Sequence, residues 1–233
     1  STYADTKPIN VRTNDSIIFE NVIVNMEANK ECIGTDVSTV RIPKLKVHGA
    51  RLFVKSNGTT DFTYGGIKNV DVLELAQRNY NEGGYICSTR GIAVYADKYM
   101  KIDVQKRANY IKSSTGHSIY CNTTASLEIE GHIVDNEIPT LYVQQSSNVS
   151  YGAIMASGNV MFKTLSAYLS GDKYALSGSG KNTIAFASNM QSHSLKATAN
   201  SSDCDAIINV GGVYTGDVHD FVDNGVAYDA NAK

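Results

Sequence analysis

The chain repeats a short apolar segment six times, and this repetition constrains its fold more than any local motif. In each copy the second residue is Ile or Leu, and the fourth is nearly always small. The clearest copies are residues 91–97, 118–124, 153–159, 175–181 and 206–212, and a looser copy occupies 32–37. Internal repeats with periods of ~20–50 residues are typical of solenoids, propellers and arrays, in which each unit packs on its neighbours.

A second apolar strand follows each repeat and sets the period. It shows the apolar-polar-apolar alternation of a strand with one buried face. The first residues of these strands lie 23 to 34 residues apart, with a mean of 28, and are Leu45, Leu73, Met100, Leu127, Met161, Ile184 and Val213. A third apolar strand often follows, at 51–54, 85–87, 110–112, 167–169 and 194–197, and turn-forming residues separate the strands.

Three short strands in each unit predict an all-β fold, a right-handed parallel β-helix of about seven or eight coils. Equivalent strands of successive coils are then stacked ~4.8 Å apart in three long parallel sheets. We expect one domain over residues 1–233, with a first coil or N-terminal cap in 1–31, coils in 32–218, and a C-terminal cap or tail in 219–233. A β-sandwich is the alternative, because short strands at intervals of ~8–12 residues also occur there.

Two features of this scheme are specific enough to test. The second repeat column predicts one buried ladder made of Ile92, Ile119, Ile154 and Ile207. The longest interval contains an insertion, roughly 135–150, which is predicted to form a projecting loop or an extra strand around 141–143.

Composition excludes some classes of function. The net charge is −2 and only 19% of residues are charged, so there is no basic excess to bind nucleic acid. No apolar run reaches the ~18 residues of a membrane span. The chain starts at Ser1 without a signal peptide, so we expect a processed mature protein or an excised domain. Its weakly charged composition, rich in Ser, Thr, Asn and Tyr, favours an extracellular or cell-surface location.

The cysteines and acidic residues do not predict a cofactor. The four cysteines are far apart and lack metal-ligand spacing, so we expect small buried hydrophobes, with a disulfide between neighbouring coils as the alternative. They are Cys32, Cys87, Cys121 and Cys204. The acidic segment 217–225 does not supply the ligands of an EF-hand loop, so calcium stays an unsupported option.

Residues 153–160, Ala-Ile-Met-Ala-Ser-Gly-Asn-Val, resemble the repeats of pectate-lyase-like β-helix proteins of bacterial surfaces. The resemblance covers about residues 32–215 and implies a secreted or surface-displayed β-helix. Some members of that superfamily bind plant polysaccharide without cleaving it, whereas others are lyases, hydrolases, adhesins or phage tailspikes. The stretch 116–119, Gly-His-Ser-Ile, is similar to part of a polygalacturonase motif, but two intervening residues and that family's carboxylate motifs are missing.

The candidate binding residues are of two kinds. Exposed tyrosines stack on sugar rings and donate hydroxyl hydrogen bonds, which makes Tyr95, Tyr120 and Tyr142 candidates for glycan binding. Asp103 and Glu130 are 27 residues apart, about one coil, and are therefore spaced to stack. A solvated face of alternating charges is the simpler explanation of these two carboxylates. We assign no catalytic residue and no metal ligand.

These observations predict a secreted or surface-displayed, non-catalytic carbohydrate-binding or adhesin module, whose partner is a polysaccharide or a cell-surface glycan. One alternative is a lyase or hydrolase that acts on acidic glycans. A second alternative is a structural or receptor-binding segment of a phage tail fibre or spike. Self-association through the solenoid ends is a further option, because unpaired strand edges template pairing.

Overall fold

A computed structural model describes residues 7–56, 65–77, 83–106, 108–146, 150–163 and 165–178, and the backbone of five further strands between 183 and 227. Cys204 and Ile207 lie outside the described residues, as does most of the predicted tail at 219–233. The role of that tail as a cap therefore stays a prediction.

The described strands form three sheets, which we name A, B and C. Sheet A contains β1 (Ile9–Asn10), β4 (Ile33–Gly34), β7 (Gly65–Ile67), β10 (Ile92–Ala96), β13 (Ile119–Cys121), β16 (Ile154–Ala156) and β19 (Leu176–Gly178). Sheet B contains β2 (Ile17–Glu20), β5 (Ile42–His48), β8 (Val70–Ala76), β11 (Tyr99–Gln105), β14 (Ser126–His132), β17 (Asn159–Lys163), β20 (Thr183–Phe186) and β22 (Val213–Gly216). Sheet C contains β3 (Ile23–Ala28), β6 (Arg51–Ser56), β9 (Tyr85–Arg90), β12 (Asn109–Ser113), β15 (Thr140–Gln145), β18 (Ser166–Gly171), β21 (Leu195–Ala199), β23 (Val222–Asp223) and β24 (Val226–Ala227).

From β1 to β21 the chain visits the three sheets in turn, and β22 then follows in sheet B. Strands of successive coils pair in parallel, as β11 does with β14. The exception is the antiparallel pair of β23 and β24. The predicted all-β parallel solenoid with three strands per coil is confirmed. The solenoid has about five well-defined turns, fewer than the predicted seven or eight. Sheets A, B and C contain seven, eight and nine strands, because further strands are added at the ends of the stacks. The right-handed direction of coiling stays a prediction.

The core is built from columns of apolar side chains that point inward from each sheet. In sheet A one column stacks Ile67, Val94, Ile119, Ile154 and Leu176 in register. All five side chains are fully buried. Equivalent buried columns run along sheet B from Leu45 to Phe162 and along sheet C from Leu52 to Leu169. Their alternation with outward polar residues is the period-2 pattern that predicted the strands.

The predicted ladder is wrong at one described member. Val94, not Ile92, pairs with Ile119, and Ile92 lies opposite Gly65. The reason is that β10 starts two residues before the position that pairs with the first residue of β13, so Val94 rather than Ile92 continues the column. Both residues face inward, and Ile92 is also buried.

The first residues of the predicted second strands are register partners at only some steps of sheet B. Leu73 pairs with Ile102 rather than with Met100. Leu127 pairs with Val160 rather than with Met161, and Ile184 pairs with Tyr214 rather than with Val213. Met161 is 39% exposed, whereas the flanking Val160 and Phe162 fill the core. The three residues are all apolar, so their own pattern does not show which of them points inward.

The insertion at 135–150 contains a regular strand. Residues 140–145 form β15 and take the sheet C position of their coil, between β12 and β18. The extra residues before it form a tight turn closed by a bridge between Val134 and Glu137. Asp135 and Asn136 in this turn adopt positive φ angles of 54° and 59°, which these two residue types tolerate better than most.

Candidate functional site

The outer face of sheet C carries one tyrosine from each of four successive strands. We call Tyr85, Tyr110, Tyr142 and Tyr168 the tyrosine ladder; consecutive members are register partners. The ring centroids of Tyr110 and Tyr142 are 4.8 Å apart and those of Tyr142 and Tyr168 are 4.9 Å apart, with interplanar angles of 14° and 13°. Tyr85 is tilted by 48° at 5.9 Å from Tyr110. The rings are half-buried and partly cover each other's faces, so ring edges and hydroxyls are the groups available to a ligand.

Local sequence explains why the ladder points outward. In every one of the four strands the residue after the tyrosine is a buried aliphatic residue. These inward residues are Ile86, Ile111, Val143 and Leu169. Because successive side chains of a strand alternate between its two faces, each preceding tyrosine lies on the outer face. Only Tyr142 was named as a candidate from the sequence, although the same Tyr-aliphatic pair occurs in all four strands.

Polar and cationic groups flank the ladder. The Lys112 ammonium lies 5.6 Å from the ring centroid of Tyr85 and 4.9 Å from that of Tyr110. The guanidinium carbon of Arg51 is 5.9 Å from the Tyr85 centroid. Gln144 is the register partner of Lys112, and Ser170 is that of Gln144, so a polar column runs beside the tyrosines.

The hydroxyls of two ladder members, Tyr85 and Tyr142, are protonated at neutral pH. Burial raises the pKa of Tyr85 to about 12, and the neighbouring Cys87 contributes to the rise. Burial also raises the pKa of Tyr142, with a smaller effect from the adjacent Tyr110 and Tyr168. These two hydroxyls are therefore able to donate one hydrogen bond each to a ligand and to accept others.

Tyr95 and Tyr120, the other two candidate tyrosines, stack on the outer face of sheet A. Their ring centroids are 5.3 Å apart, and the two residues are register partners in β10 and β13. Tyr95 is only 4% exposed, and the Lys68 ammonium lies 4.8 Å from its ring centroid. Tyr120 is half-buried, with its hydroxyl 3.5 Å from Ser157 Oγ. This pair consequently offers a ligand less surface than the tyrosine ladder does.

His117, in the polygalacturonase-like stretch, is buried in an aromatic cluster. Its ring centroid is 5.2 Å from that of Tyr151 and 5.8 Å from that of Tyr174. The backbone amide of Gly152 donates a hydrogen bond to Nδ1 at 3.2 Å. Burial lowers the pKa of His117 to about 4, so the imidazole is neutral at neutral pH and packs as part of the wall between sheets A and C.

The outer face of sheet B brings together three carboxylates, which we call the carboxylate column. Glu74, Asp103 and Glu130 are consecutive register partners, so the stacking of Asp103 on Glu130 predicted from their spacing is confirmed. Glu74 and Asp103 are 6% and 9% exposed. Lys46 and Lys163 occupy the same column immediately before and after the three acids.

Cations neutralise the two ends of the carboxylate column. At Glu74 the Lys44 ammonium is 3.2 Å from Oε2, and His48 Nε2 is 2.6 Å from Oε1. Burial would raise the pKa of Glu74, but these two partners outweigh it, and the pKa is lowered. The pKa of Glu130 is also lowered, because the contact with Lys101 outweighs the effect of burial.

Asp103, in the middle of the column, differs from its two neighbours. His132 Nε2 lies 3.0 Å from its Oδ1, but this buried oxygen has no hydrogen-bond partner within the described residues. Burial raises the pKa of Asp103 and outweighs the effect of His132 and Lys101, while Glu74 and Glu130 raise it further. The central carboxylate is thus the least stabilised charge of the column.

Two of the three described cysteines are buried hydrophobes, as expected from the sequence. Cys32 and Cys121 are fully buried free thiols, and Cys87 is a half-buried free thiol on sheet C. Burial raises the pKa of Cys32 to about 11 and that of Cys121 to about 12, so both remain thiols at neutral pH. In the part of the chain that the structure describes, no group of three or more His, Cys, Asp or Glu residues is placed to hold a metal ion. The same residues contain no helix long and apolar enough to cross a bilayer.

No protein-family model, curated protein or solved structure significantly matches this chain. What the protein does is therefore inferred from the chemistry of its own surfaces.

Proposed function

We propose that this protein is a non-catalytic carbohydrate-binding module that binds a polysaccharide along the tyrosine ladder of sheet C. The observation that carries this proposal is the presence of one outward tyrosine in each of four successive coils, beside a polar column. An extracellular or cell-surface location and the kinship to pectate-lyase-like surface proteins belong to the same proposal.

The geometry of the ladder suits an extended glycan that runs parallel to the solenoid axis. Strands repeat every ~4.8 Å along the axis, which is close to the length of one sugar unit in an extended chain. Each unit then meets one ring edge and one hydroxyl. Because stacked rings cover each other's faces, affinity arises from several hydrogen bonds and edge contacts rather than from one sugar stacked on one ring.

The charge beside the ladder favours glycans with acidic sugar units. Arg51 and Lys112 are the cations that approach its rings. Gln144 and Ser170 provide neutral donors and acceptors at the following coils. Complementary charge contributes to specificity and to the rate of encounter.

A glycan array followed by titration calorimetry on the strongest ligand tests the proposal. Tyr110→Ala and Tyr142→Ala are each expected to weaken binding by about 1 kcal/mol, roughly fivefold, the scale of one aromatic contact or hydrogen bond. Tyr142→Phe isolates the contribution of the hydroxyl. Tyr99→Ala is the matched control, because Tyr99 is 49% exposed but lies on sheet B. Unchanged affinity in both ladder variants contradicts the proposal.

A second candidate function is hydrolysis or elimination on acidic glycans at the carboxylate column. The observation that favours it is the opposite shift of two neighbouring groups, since the pKa of Asp103 is raised and that of Glu130 is lowered. Such divergence is typical of an acid and a base in one site. Assays for new reducing ends and for unsaturated products on polygalacturonate test it. If the protein turns over polygalacturonate and Asp103→Asn abolishes this activity, the protein is an enzyme and the binding proposal is wrong.

A further inference from the structure

A buried lysine meets two carboxylates at the N-terminal end of sheet A. The Lys7 side chain is 2% exposed, and its Nζ lies 3.3 Å from Oε1 of Glu31, whose side chain is 5% exposed. The same Nζ is in direct contact with Oδ1 of Asp36. The other oxygen of Glu31, Oε2, is buried without a hydrogen-bond partner within the described residues. The Lys7 amine, the Asp36 carboxylate and the buried Glu31 carboxylate are therefore held next to one another.

Neighbouring residues fix the two acids in place. Asn10 Nδ2 donates to Asp36 Oδ2 at 2.5 Å, and the Asp36 amide donates to Asn10 Oδ1 at 3.2 Å. This double contact leaves Oδ1 for Lys7. Glu31 packs over Gly34, where a Cβ atom would lie only 2.7 Å from Glu31 Cγ. The parallel pairing of β1 with β4 brings all of these segments together.

We propose that Lys7 and Asp36 condense to form an intramolecular isopeptide bond, with Glu31 as the proton-transfer group. Glu31 accepts a proton from the Lys7 ammonium, and the lone pair of the resulting amine attacks Cγ of Asp36. The amide of Asn10 hydrogen-bonds to Oδ2, on which negative charge develops. Glu31 relays two ammonium protons, one after the other, to Oδ1. The Cγ–Oδ1 bond then breaks and the oxygen leaves as water, while the third proton stays on the new amide nitrogen.

The surroundings favour this condensation on physical grounds. The Lys7 side chain is 2% exposed, whereas that of Asp36 is 55% exposed, so the lysine charge is the one that carries a desolvation cost. Condensation to a neutral amide and water removes this buried charge. The reacting groups are also held in contact by the fold, which replaces a bimolecular encounter with an intramolecular step. No oxidant, reductant or metal is required. The bond would tie β1, the first described strand of sheet A, to the turn that follows β4.

The intact mass of the full chain tests the proposal. The expected mass is lower than the sequence mass by one molecule of water. Trypsin does not cleave before Pro8, so peptides 1–12 and 31–41 are expected as a single cross-linked species. The sequence mass with the two peptides recovered separately would show that Lys7, Glu31 and Asp36 form only ion pairs.

Three variants and an internal control assign the roles. Asp36→Ala is expected to retain the full mass, and Asp36→Asn is expected to lose ammonia in place of water, which identifies the leaving group. Glu31→Gln is expected to retain the full mass, and cross-linking in this variant would overturn the role of Glu31. The exposed pair of Lys55 and Glu27, 2.8 Å apart on sheet C of the same two coils, is the control, and its peptides should remain separate.

Discussion

The buried column of sheet A makes Ile119→Ala the most informative test of the fold. Ile119 is fully buried and is flanked in register by Val94 and Ile154, both of which are also fully buried. The substitution removes about three methyl or methylene groups, each of which contributes about 0.8 kcal/mol when buried, which gives about 2.4 kcal/mol. The neighbours are themselves part of continuous columns and collapse only partly into the space. The remaining cavity adds to this cost, so the free energy of unfolding is expected to fall by about 3–4 kcal/mol, within the range for buried large-to-small changes.

Urea unfolding followed by circular dichroism measures this loss as a fall in the midpoint at constant slope. Ile18→Ala is the matched control, because it makes the same chemical change at a residue that is 59% exposed on sheet B. The control should change the free energy of unfolding by less than about 0.5 kcal/mol, as exposed substitutions usually do. A loss below about 1 kcal/mol for Ile119→Ala, or an equal loss in the two variants, would refute the register of the sheet A column.

Two further predictions concern titratable groups. Burial lowers the pKa of His117 to about 4 from an ordinary 6.5, so between these values the unfolded chain binds a proton that the folded chain does not. The free energy of unfolding should therefore fall by about 3 kcal/mol as the pH drops from 6.5 to 4, and urea titrations at several pH values should show a shallower fall in His117→Gln. Burial raises the pKa of Asp103, so folding disfavours the charged form of this carboxyl group. Asp103→Asn should therefore raise the midpoint of thermal unfolding at pH 7. A lower midpoint would mean that the contact of Asp103 with His132 is net stabilising.

Sequence spacing predicted the fold because a solenoid converts distance along the chain into position in space. Residues about one coil apart occupy the same column, so the 27-residue separation of Asp103 and Glu130 was sufficient to predict their contact. The period-2 alternation likewise predicted which strands exist and which residues of most strands enter the core. In the insertion a loop and a strand around 141–143 stayed open as alternatives, because β15 follows an extra turn that interrupts the spacing.

The register between neighbouring strands is harder to predict from the sequence, because of the geometry of a strand. A shift of two residues keeps every side chain on the same face, so Ile92 and Val94 fit the apolar pattern equally well. Turn lengths and the close approach of Gly65 to β10 decide between them. A shift of one residue reverses the faces, but the pattern does not detect it where consecutive residues are all apolar, as at Val160, Met161 and Phe162.

Sequence alone determined which residues of the third strands face outward, since each ladder tyrosine precedes an aliphatic residue that is drawn into the core. Only the tertiary structure decided which outward residues meet. Successive ladder tyrosines are 25 to 32 residues apart, and their rings stack because the turns absorb the difference in coil length while the strands stay in register. The contacts of Lys7 with Glu31 and Asp36 arise in the same way, from the pairing of β1 with β4. Side-chain alternation is a local property of the backbone, whereas these contacts depend on the length of every turn between the strands that carry them.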